Sequence, residues 1–164
     1  MKTLILYASK YGAAGEIAQR IAKKLPEATV CHMKDDTLLK ASSLKLADYD
    51  CIIIGSSLYA GMIRKEAKEY LAQHAPELCQ RKLGLFLSGL AAENEQDYFK
   101  NNFSAELLEA ATATAFLGGI FDPGKVGFLG RFMMKMVSKQ SGYIDTISDE
   151  KINEFIEALE NEKK

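Results

Sequence analysis

The chain has 164 residues, of which 48% are hydrophobic and 26% charged, and its formal net charge is −1 at pH 7. This length and composition predict a single globular domain that spans residues 1–164. The near-neutral charge gives no argument for nucleic-acid binding, and no apolar run is long enough to span a bilayer. Because the N-terminus also lacks a charged and then apolar signal region, we expect a cytoplasmic protein.

Apolar runs and helical stripes alternate along the whole chain. Continuous apolar runs, typical of strands that are covered on both faces, occur at residues 3–9, 28–33, 51–57, 82–89 and 112–119. Apolar residues at helical spacing predict helices at residues 15–25, 65–74, 103–111, 127–139 and 148–159. We expect Pro26 and Pro76 to end the first two helices and Ser148 to cap the last one.

Strands that alternate with helices predict an α/β fold with a doubly wound, five-stranded parallel sheet and helices on both faces. With right-handed crossovers, the leading strand order is 2-1-3-4-5. Ligands bind such sheets at the carboxyl ends of the strands where the order reverses, here between the first and third strands. We therefore expect a binding crevice between three loops, which begin at Ser9, Gly55 and Ser88.

The first of these loops lies in the segment YASKYGAAGE, residues 7–16. It opens a helix, whose first N–H groups and partial positive charge favour an anion. Ser9 and Tyr11 add hydroxyl groups, Lys10 adds charge, and Gly12 allows close approach of the backbone. The glycine spacing fits neither G-x-G-x-x-G nor G-x-x-x-x-G-K-[ST]. Taken alone, the loop is explained equally well as a tight turn without a ligand.

The second and third loops carry further small and polar residues, in the segments GSSLYAG (55–61) and SGLAAENEQD (88–97). Serine hydroxyls can donate to a phosphate or to ribityl oxygens, and Tyr59 offers a ring face. Three small, polar strand ends at one crevice favour a flat ligand with a phosphorylated tail, over the simpler interpretation that small residues merely end the strands.

The segments LYASKYGAAGEIA (6–18) and DCIIIGSSLYAG (50–61) resemble the flavodoxin family, in the branch whose phosphate loop reads S-K-Y-G-x-T. The resemblance covers most of the chain and implies a flavodoxin-like fold that holds one non-covalent FMN. Ala14 stands where the pattern has Thr, which removes one hydroxyl donor to the phosphate. The residues implied for the phosphate are Ser9, Lys10, Tyr11, Gly12, Ala13 and Ala14. Those implied for the isoalloxazine are Ser56, Ser57, Leu58, Tyr59, Ala60 and Gly61, together with Ser88, Gly89, Leu90, Ala91 and Ala92.

The segment GRFMMKMVSKQSG (130–142) resembles the C-terminal region of the flavodoxin-like, menaquinone-dependent protoporphyrinogen oxidases. The longer loop of that family, after the fourth strand or within the fifth, is hard to find in a chain of 164 residues. FMN-dependent electron transfer is therefore the function predicted first. The alternative is a flavin oxidoreductase of the protoporphyrinogen oxidase type that passes electrons to a quinone. The expected partners are redox proteins, a quinone or a porphyrinogen, with contact to a membrane surface as an option but no integral span.

Two stretches, one acidic and one apolar, each have two interpretations. Glu93, Glu95 and Asp97 lie either near the flavin ring edge, where they would lower its potential, or at a solvated helix start. The predicted helix at 127–139 places Phe128, Phe132, Met136 and Lys139 along one stripe, with Leu129, Met133 and Val137 on the next. That helix either covers the sheet or, with Arg131 and Lys135 beside it, contacts a quinone, a porphyrinogen or a membrane-bound partner.

Other kinds of site have little support in the sequence. The cysteines at positions 31, 51 and 79 never form a C-x-x-C pair, and buried thiols are a better interpretation than a disulfide or a metal site. A hydrolase needs a nucleophile with a histidine nearby, and we expect neither His32 nor His74 to face the crevice. A phosphate-receiver domain needs acidic residues where this chain has Ser9–Lys10 and Gly55–Ser57.

Overall fold

The computed structural model describes residues 1–34, 44–138 and 142–161. Its strands are β1 (Thr3–Ala8), β2 (Ala28–His32), β3 (Cys51–Tyr59), β4 (Met62–Ile63), β5 (Lys82–Ser88), β6 (Ala111–Phe116), β7 (Ile120–Phe121) and β8 (Ile144–Asp145). Its helices are α1 (Ala13–Lys24), α2 (Lys65–Leu78), α3 (Glu95–Asn102), α4 (Ala105–Ala110), α5 (Phe128–Ser138) and α6 (Asp149–Glu160). Short 3₁₀ turns lie at Leu46–Asp48 and Ala92–Asn94.

The central sheet has the order β2-β1-β3-β5-β6, and all neighbours in that series are parallel. This is the predicted order of the five long strands, so the doubly wound α/β prediction is confirmed. The register pairs Ala8 with Ser56 and Ser57 with Ser88. The strand ends after which the three predicted loops begin therefore meet at one edge of the sheet.

Apolar side chains fill both faces of the sheet. Alternate residues of β1 show the division, because Leu4 and Leu6 pack on one face while Ile5 packs on the other. Residues of α2, α3 and α4 complete the first layer, and residues of α1 and α6 complete the second. Burial on two faces explains why the strands appear in the sequence as unbroken apolar runs.

Two predicted helix boundaries are wrong. Pro76 lies inside α2, which continues to Leu78. Only the last turn follows this proline, and there the buried Leu78 anchors the chain while the N–H of Cys79 still bonds to the carbonyl of Ala75 at 3.0 Å. The predicted helix at 103–111 is the shorter α4, which Ser104 caps by accepting the N–H of Leu107 at 3.3 Å.

The predicted loop at residues 55–61 is largely strand. The first part of it continues β3 to Tyr59, and a two-residue turn at Ala60 and Gly61 leads back into the antiparallel β4. Both turn residues have positive φ, 49° and 75°, as tight hairpins with the twist of a sheet require. The end of β3 and β4 thus form a β-hairpin at the carboxyl edge of the sheet.

After β6 the chain forms a separate small unit. Strands β7 and β8 pair antiparallel, with Ile120 opposite Asp145 and Phe121 opposite Ile144, and α5 lies between them in sequence. The predicted fifth strand at 112–119 ends earlier, at Phe116. Ser148 caps α6 as expected and accepts the N–H of Lys151 at 3.2 Å. In the described part of the chain, no helix has both the length and the apolar character that crossing a bilayer requires.

Candidate functional site

Two adjoining cavities open at the carboxyl edge of the sheet. The first has a volume of about 250 Å³ and lies between the loop after β1, the β3–β4 hairpin and the loop after β5. The second has a volume of about 640 Å³ and lies between the start of α1 and the β7–β8 unit. Ser9, Lys10, Tyr11 and Ile120 line both cavities, so the loop after β1 separates them.

Most of the predicted site residues meet at these cavities. Those that line the first are Ser9, Lys10, Tyr11, Ala13, Ser57, Leu58, Tyr59, Ala60, Gly61, Ser88, Gly89, Leu90 and Ala91. Gly12 lines the second cavity. Ala14, Ser56 and Ala92 line neither of the two. The Ala14 side chain is fully buried in the core under α1, so it cannot contact a ligand in either cavity.

The start of α1 presents unpaired backbone N–H groups, an arrangement that favours an anion. Its N-cap, Gly12, has φ 100° and no side chain caps the helix, so the first-turn N–H groups have no partner within it. The hydroxyl of Ser9 accepts the N–H of Gly12 at 3.0 Å, which shapes the loop and leaves the hydroxyl proton to donate elsewhere. The partial positive charge of the helix end adds to the attraction for an anion.

His32 supports this loop from the end of β2. Its Nε2 lies 3.2 Å from the carbonyl oxygen of Ser9, and its Nδ1 accepts the N–H of Lys34 at 3.0 Å. These two bonds place the ring proton on Nε2. The expectation that neither histidine faces the crevice is wrong for His32, which lines the second cavity. A histidine at the end of a strand next to β1 was the available sequence signal.

The two serines predicted on neighbouring strands differ in their bonding. The Ser56 hydroxyl accepts the N–H of Arg64 at 2.9 Å and donates to the carbonyl of Ser57 at 3.0 Å. The Ser88 side chain is 1% exposed, and its hydroxyl has no hydrogen-bond partner among the described residues. A buried polar group without a partner is costly, and a polar ligand atom in the first cavity would satisfy it.

Asn102 at the end of α3 holds the β3–β4 hairpin. Its side-chain amide donates to the carbonyls of Gly61 and Tyr98, each at 2.8 Å, and its Oδ1 accepts the N–H of Ile63 at 2.9 Å. The Tyr98 ring closes against the turn, 3.5 Å from the position that a Cβ of Gly61 would occupy. The hairpin wall of the first cavity is therefore fixed to α3.

The acidic run after β5 belongs to a helix start. Glu95 and Asp97 lie in the first turn of α3, and Glu93 lies in the preceding 3₁₀ turn. None of the three lines either cavity, and Glu95 accepts the backbone N–H of Phe116 at 3.1 Å. Of the two interpretations of this run, the structure favours the helix start.

Several residues that line the first cavity were missed from the sequence: Arg64, Tyr98, Phe116, Gly119 and Ile120. Phe116, Gly119 and Ile120 lie at or just after the end of β6, which reaches the same edge of the sheet. The general rule that ligands sit outside strand ends would have found them. Arg64 is the N-cap of α2 and Tyr98 lies within α3, and the sequence pattern connects neither of them with the site.

The helix α5 exposes its apolar face. Phe128, Leu129, Phe132 and Met136 are 79%, 68%, 53% and 70% exposed. Arg131 and Lys135 are exposed beside them, and together with Phe121, Phe128 and Phe132 they line a cavity of about 420 Å³. The interpretation of this segment as a helix that covers the sheet is wrong, because its largest apolar groups face outward. Lys139, which was predicted on the same stripe, lies outside the described residues.

Comparisons with known proteins agree with this architecture. A family model described as a flavodoxin domain matches residues 4–147. The protoporphyrinogen IX dehydrogenase [quinone] of Escherichia coli K12 is 24% identical over 148 residues, which cover 87% of this chain and 81% of the relative. Oxidised flavodoxin 1 from Bacillus cereus superposes with a TM-score of 0.52 at 16% identity, over 98% of this chain and 93% of that one. A flavo di-iron protein from Thermotoga maritima gives a TM-score of 0.58 at 18% identity, over 97% of this chain and 35% of that one.

Proposed function

The chain belongs to the flavodoxin domain family, and on that basis we propose that its two adjoining cavities hold one FMN through which it transfers electrons. FMN, when bound, supplies the chemistry by accepting and releasing one or two electrons. The protein's part is to bind the cofactor, orient it and shield it from water. The observation that carries the proposal is the uncapped start of α1 beside a cavity that Tyr59 and Tyr98 border.

The proposed division of the site follows from the donors in each cavity. The Ser9 hydroxyl and the backbone N–H groups at the start of α1 bind the phosphate, as helix starts do for anions. Tyr59 and Leu58 on the hairpin and Leu90 after β5 enclose the flat ring system. The Ser88 hydroxyl, which has no protein partner in the described residues, donates to a polar atom of the ligand. The remaining predicted residues supply backbone and shape.

A flavin titration tests the proposal. FMN fluorescence should be quenched at micromolar protein, and riboflavin, which lacks the phosphate, should bind more weakly. The adenylate half of FAD should add no affinity, because the glycine spacing does not match a dinucleotide fingerprint. Absence of quenching by FMN would rule out the proposed cofactor site, whereas tighter binding of FAD than of FMN would assign the second cavity to an adenylate.

A second candidate function is porphyrinogen oxidation with electrons passed to a quinone. Two observations favour it: the 24% identity to a protoporphyrinogen IX dehydrogenase [quinone], and the outward apolar face of α5. A plain carrier that meets only soluble proteins has no need of four large apolar side chains in water. This candidate differs from the first in one measurable way, since the FMN-loaded protein should then reduce a quinone when supplied with a porphyrinogen.

Partners and location follow from the same features. We propose a cytoplasmic protein that meets a redox partner, a quinone or a porphyrinogen at the cavity edge and contacts a membrane surface through α5. Apolar side chains flanked by Arg131 and Lys135 are typical of helices that lie in the plane of an anionic lipid surface.

A further inference from the structure

The cationic side chains at the start of α1 are not equally available to an anion. Arg20 is bound to Glu16 at 2.8 Å, and Asp145 and Asp149 lie within 3.8 Å of its guanidinium. Those carboxylates, with the Glu16 hydrogen bond as the largest cause, raise the pKa of Arg20. Lys10 lies over the ring of Tyr11, with its Nζ 5.1 Å from the ring centre. Both groups are therefore engaged within the protein.

Lys125 lies at the same place, and the described residues offer it no such partner. Its Nζ is 3.9 Å from the position that a Cβ of Gly12 would occupy, so its ammonium group sits directly against the N-cap of α1. No carboxylate among the described residues lies within ion-pair distance of it. The Lys125 side chain and Gly12 both line the second cavity.

The backbone around Lys125 explains how it reaches this position. Its N–H bonds to the carbonyl of Asp122 at 3.0 Å, and the Asp122 carboxylate accepts the N–H of Gly124 at 2.9 Å. Asp122 thereby turns the chain just after β7 and uses one carboxylate oxygen in doing so. The turn carries Lys125 back toward α1 from a point more than 100 residues along the chain.

We propose that Lys125 binds the phosphate of FMN and supplies the contact that Ala14 lacks. Ala14 is buried and has no hydroxyl, so the loop has one side-chain donor fewer than the pattern it resembles. An ammonium group against the N-cap adds a full positive charge beside the partial charge of the helix start. This inference rests on the proposed function and assigns to the phosphate a cation from outside the predicted loop.

The comparison of FMN with riboflavin tests this assignment. Lys125→Met keeps the length of the side chain and removes its charge, while Lys23→Met removes a charge at the far end of the same helix, about 15 Å away by helix rise. We expect Lys125→Met to weaken FMN binding about tenfold or more and to leave riboflavin binding unchanged, because a bond to a charged group is lost. Lys23→Met should change neither, and Lys125→Arg should retain most of the affinity.

Salt dependence gives a second readout. The loss of FMN affinity between low and high salt should be smaller in Lys125→Met than in the wild type, because one screened charge pair is absent. Equal FMN affinity in Lys125→Met and wild type would overturn the assignment, as would an equal loss for FMN and riboflavin. If the wild type itself fails to bind FMN, the proposed function fails instead, so the two failures are distinct.

Discussion

Ser56 and Ser88 show how much the role of one hydroxyl depends on its neighbours. Both serines are almost completely buried near the ends of adjacent strands. The Ser56 hydroxyl bonds twice to the protein backbone, whereas the Ser88 hydroxyl bonds to nothing in the described chain. Removing these two hydroxyls should therefore have opposite effects on the protein without its cofactor.

Ser88→Ala should leave the cofactor-free protein equally or more stable, because it removes a buried polar group that has no partner. The same change should weaken FMN binding by about 1 kcal/mol, the value of an average hydrogen bond. Ser56→Ala is the matched control and should destabilise the protein by about 1–3 kcal/mol, since it leaves the N–H of Arg64 without an acceptor. Urea unfolding and flavin titration of both variants measure these effects. A Ser88→Ala protein with lower stability and full FMN affinity would contradict the prediction.

Among the elements, α5 has the least expected packing. An amphipathic helix normally turns its apolar stripe toward the core, but here Phe128, Phe132 and Met136 point into solvent. Arg131 and Lys135 follow the same helix one turn apart. The arrangement of apolar and basic groups suits an anionic lipid surface better than a purely aqueous one.

Reversing the two charges tests the role of α5. The double variant Arg131→Glu, Lys135→Glu should bind anionic vesicles more weakly by at least about 2 kcal/mol, because each basic group near such a surface contributes about 1 kcal/mol. Its FMN affinity and melting temperature should remain those of the wild type, since both side chains are exposed. Under the second candidate function, the variant should also lose porphyrinogen-dependent reduction of a quinone in the vesicles.

The matched control for this experiment is Lys68→Glu, Lys100→Glu, which reverses two exposed charges on α2 and α3. It should bind vesicles almost as the wild type does, apart from the general effect of net charge. A wild-type protein that does not associate with anionic vesicles would show that α5 does not contact a membrane. Porphyrinogen-dependent reduction of a quinone would then have to be measured in solution. If that reaction is also absent, electron transfer without porphyrinogen oxidation is the function that remains.

At the scale of the whole molecule, the sheet was predictable and parts of the site were not. Burial on both faces marks the five long strands in the sequence, and their alternation with helices makes 2-1-3-4-5 the leading order. Helical spacing did not predict α3, and only the acidic run pointed to a helix start there, because its residues are polar and only Phe99 is buried. His32 was indicated only by its place at the end of a strand next to β1, and Lys125 reaches the site through the tertiary fold without any local pattern that indicates it. The contrast between Ser56 and Ser88 depends on hydrogen bonds that only the folded chain forms.

The stability of the folded chain should fall in alkaline solution. Burial raises the pKa of the Cys51 thiol to about 12, and burial is also the main cause that raises the pKa of Tyr70 to about 12. In the unfolded chain the thiol loses its proton at about pH 8.5 and the phenol at about pH 10, the ordinary pKa values of Cys and Tyr. Above those values the folded state binds more protons than the unfolded state, so the free energy of unfolding decreases as pH rises toward 12.

Urea unfolding at several pH values between neutral and strongly alkaline measures this dependence. One group that titrates only in the unfolded state contributes a slope of at most about 1.4 kcal/mol per pH unit. The pH dependence of Cys51→Ala should be flatter than that of the wild type in the lower part of that range, where thiols of the unfolded chain titrate and Tyr70 does not yet. Identical slopes for the two proteins would exclude Cys51 as a source of the pH dependence.

Strands β7 and β8 bring the chain back to the point where it left the sheet, because Ile120 lies opposite Asp145. The segment from β7 to β8 therefore begins and ends at adjacent positions, and we call it the β7–β8 cassette. Its length can change, or it can be exchanged between relatives, with little loss of stability in the parallel sheet. Lys125 and α5 are both carried on this cassette. An exchange that gave the protein a new partner surface would therefore also replace the residue proposed to hold the phosphate, so partner choice and cofactor affinity would evolve together.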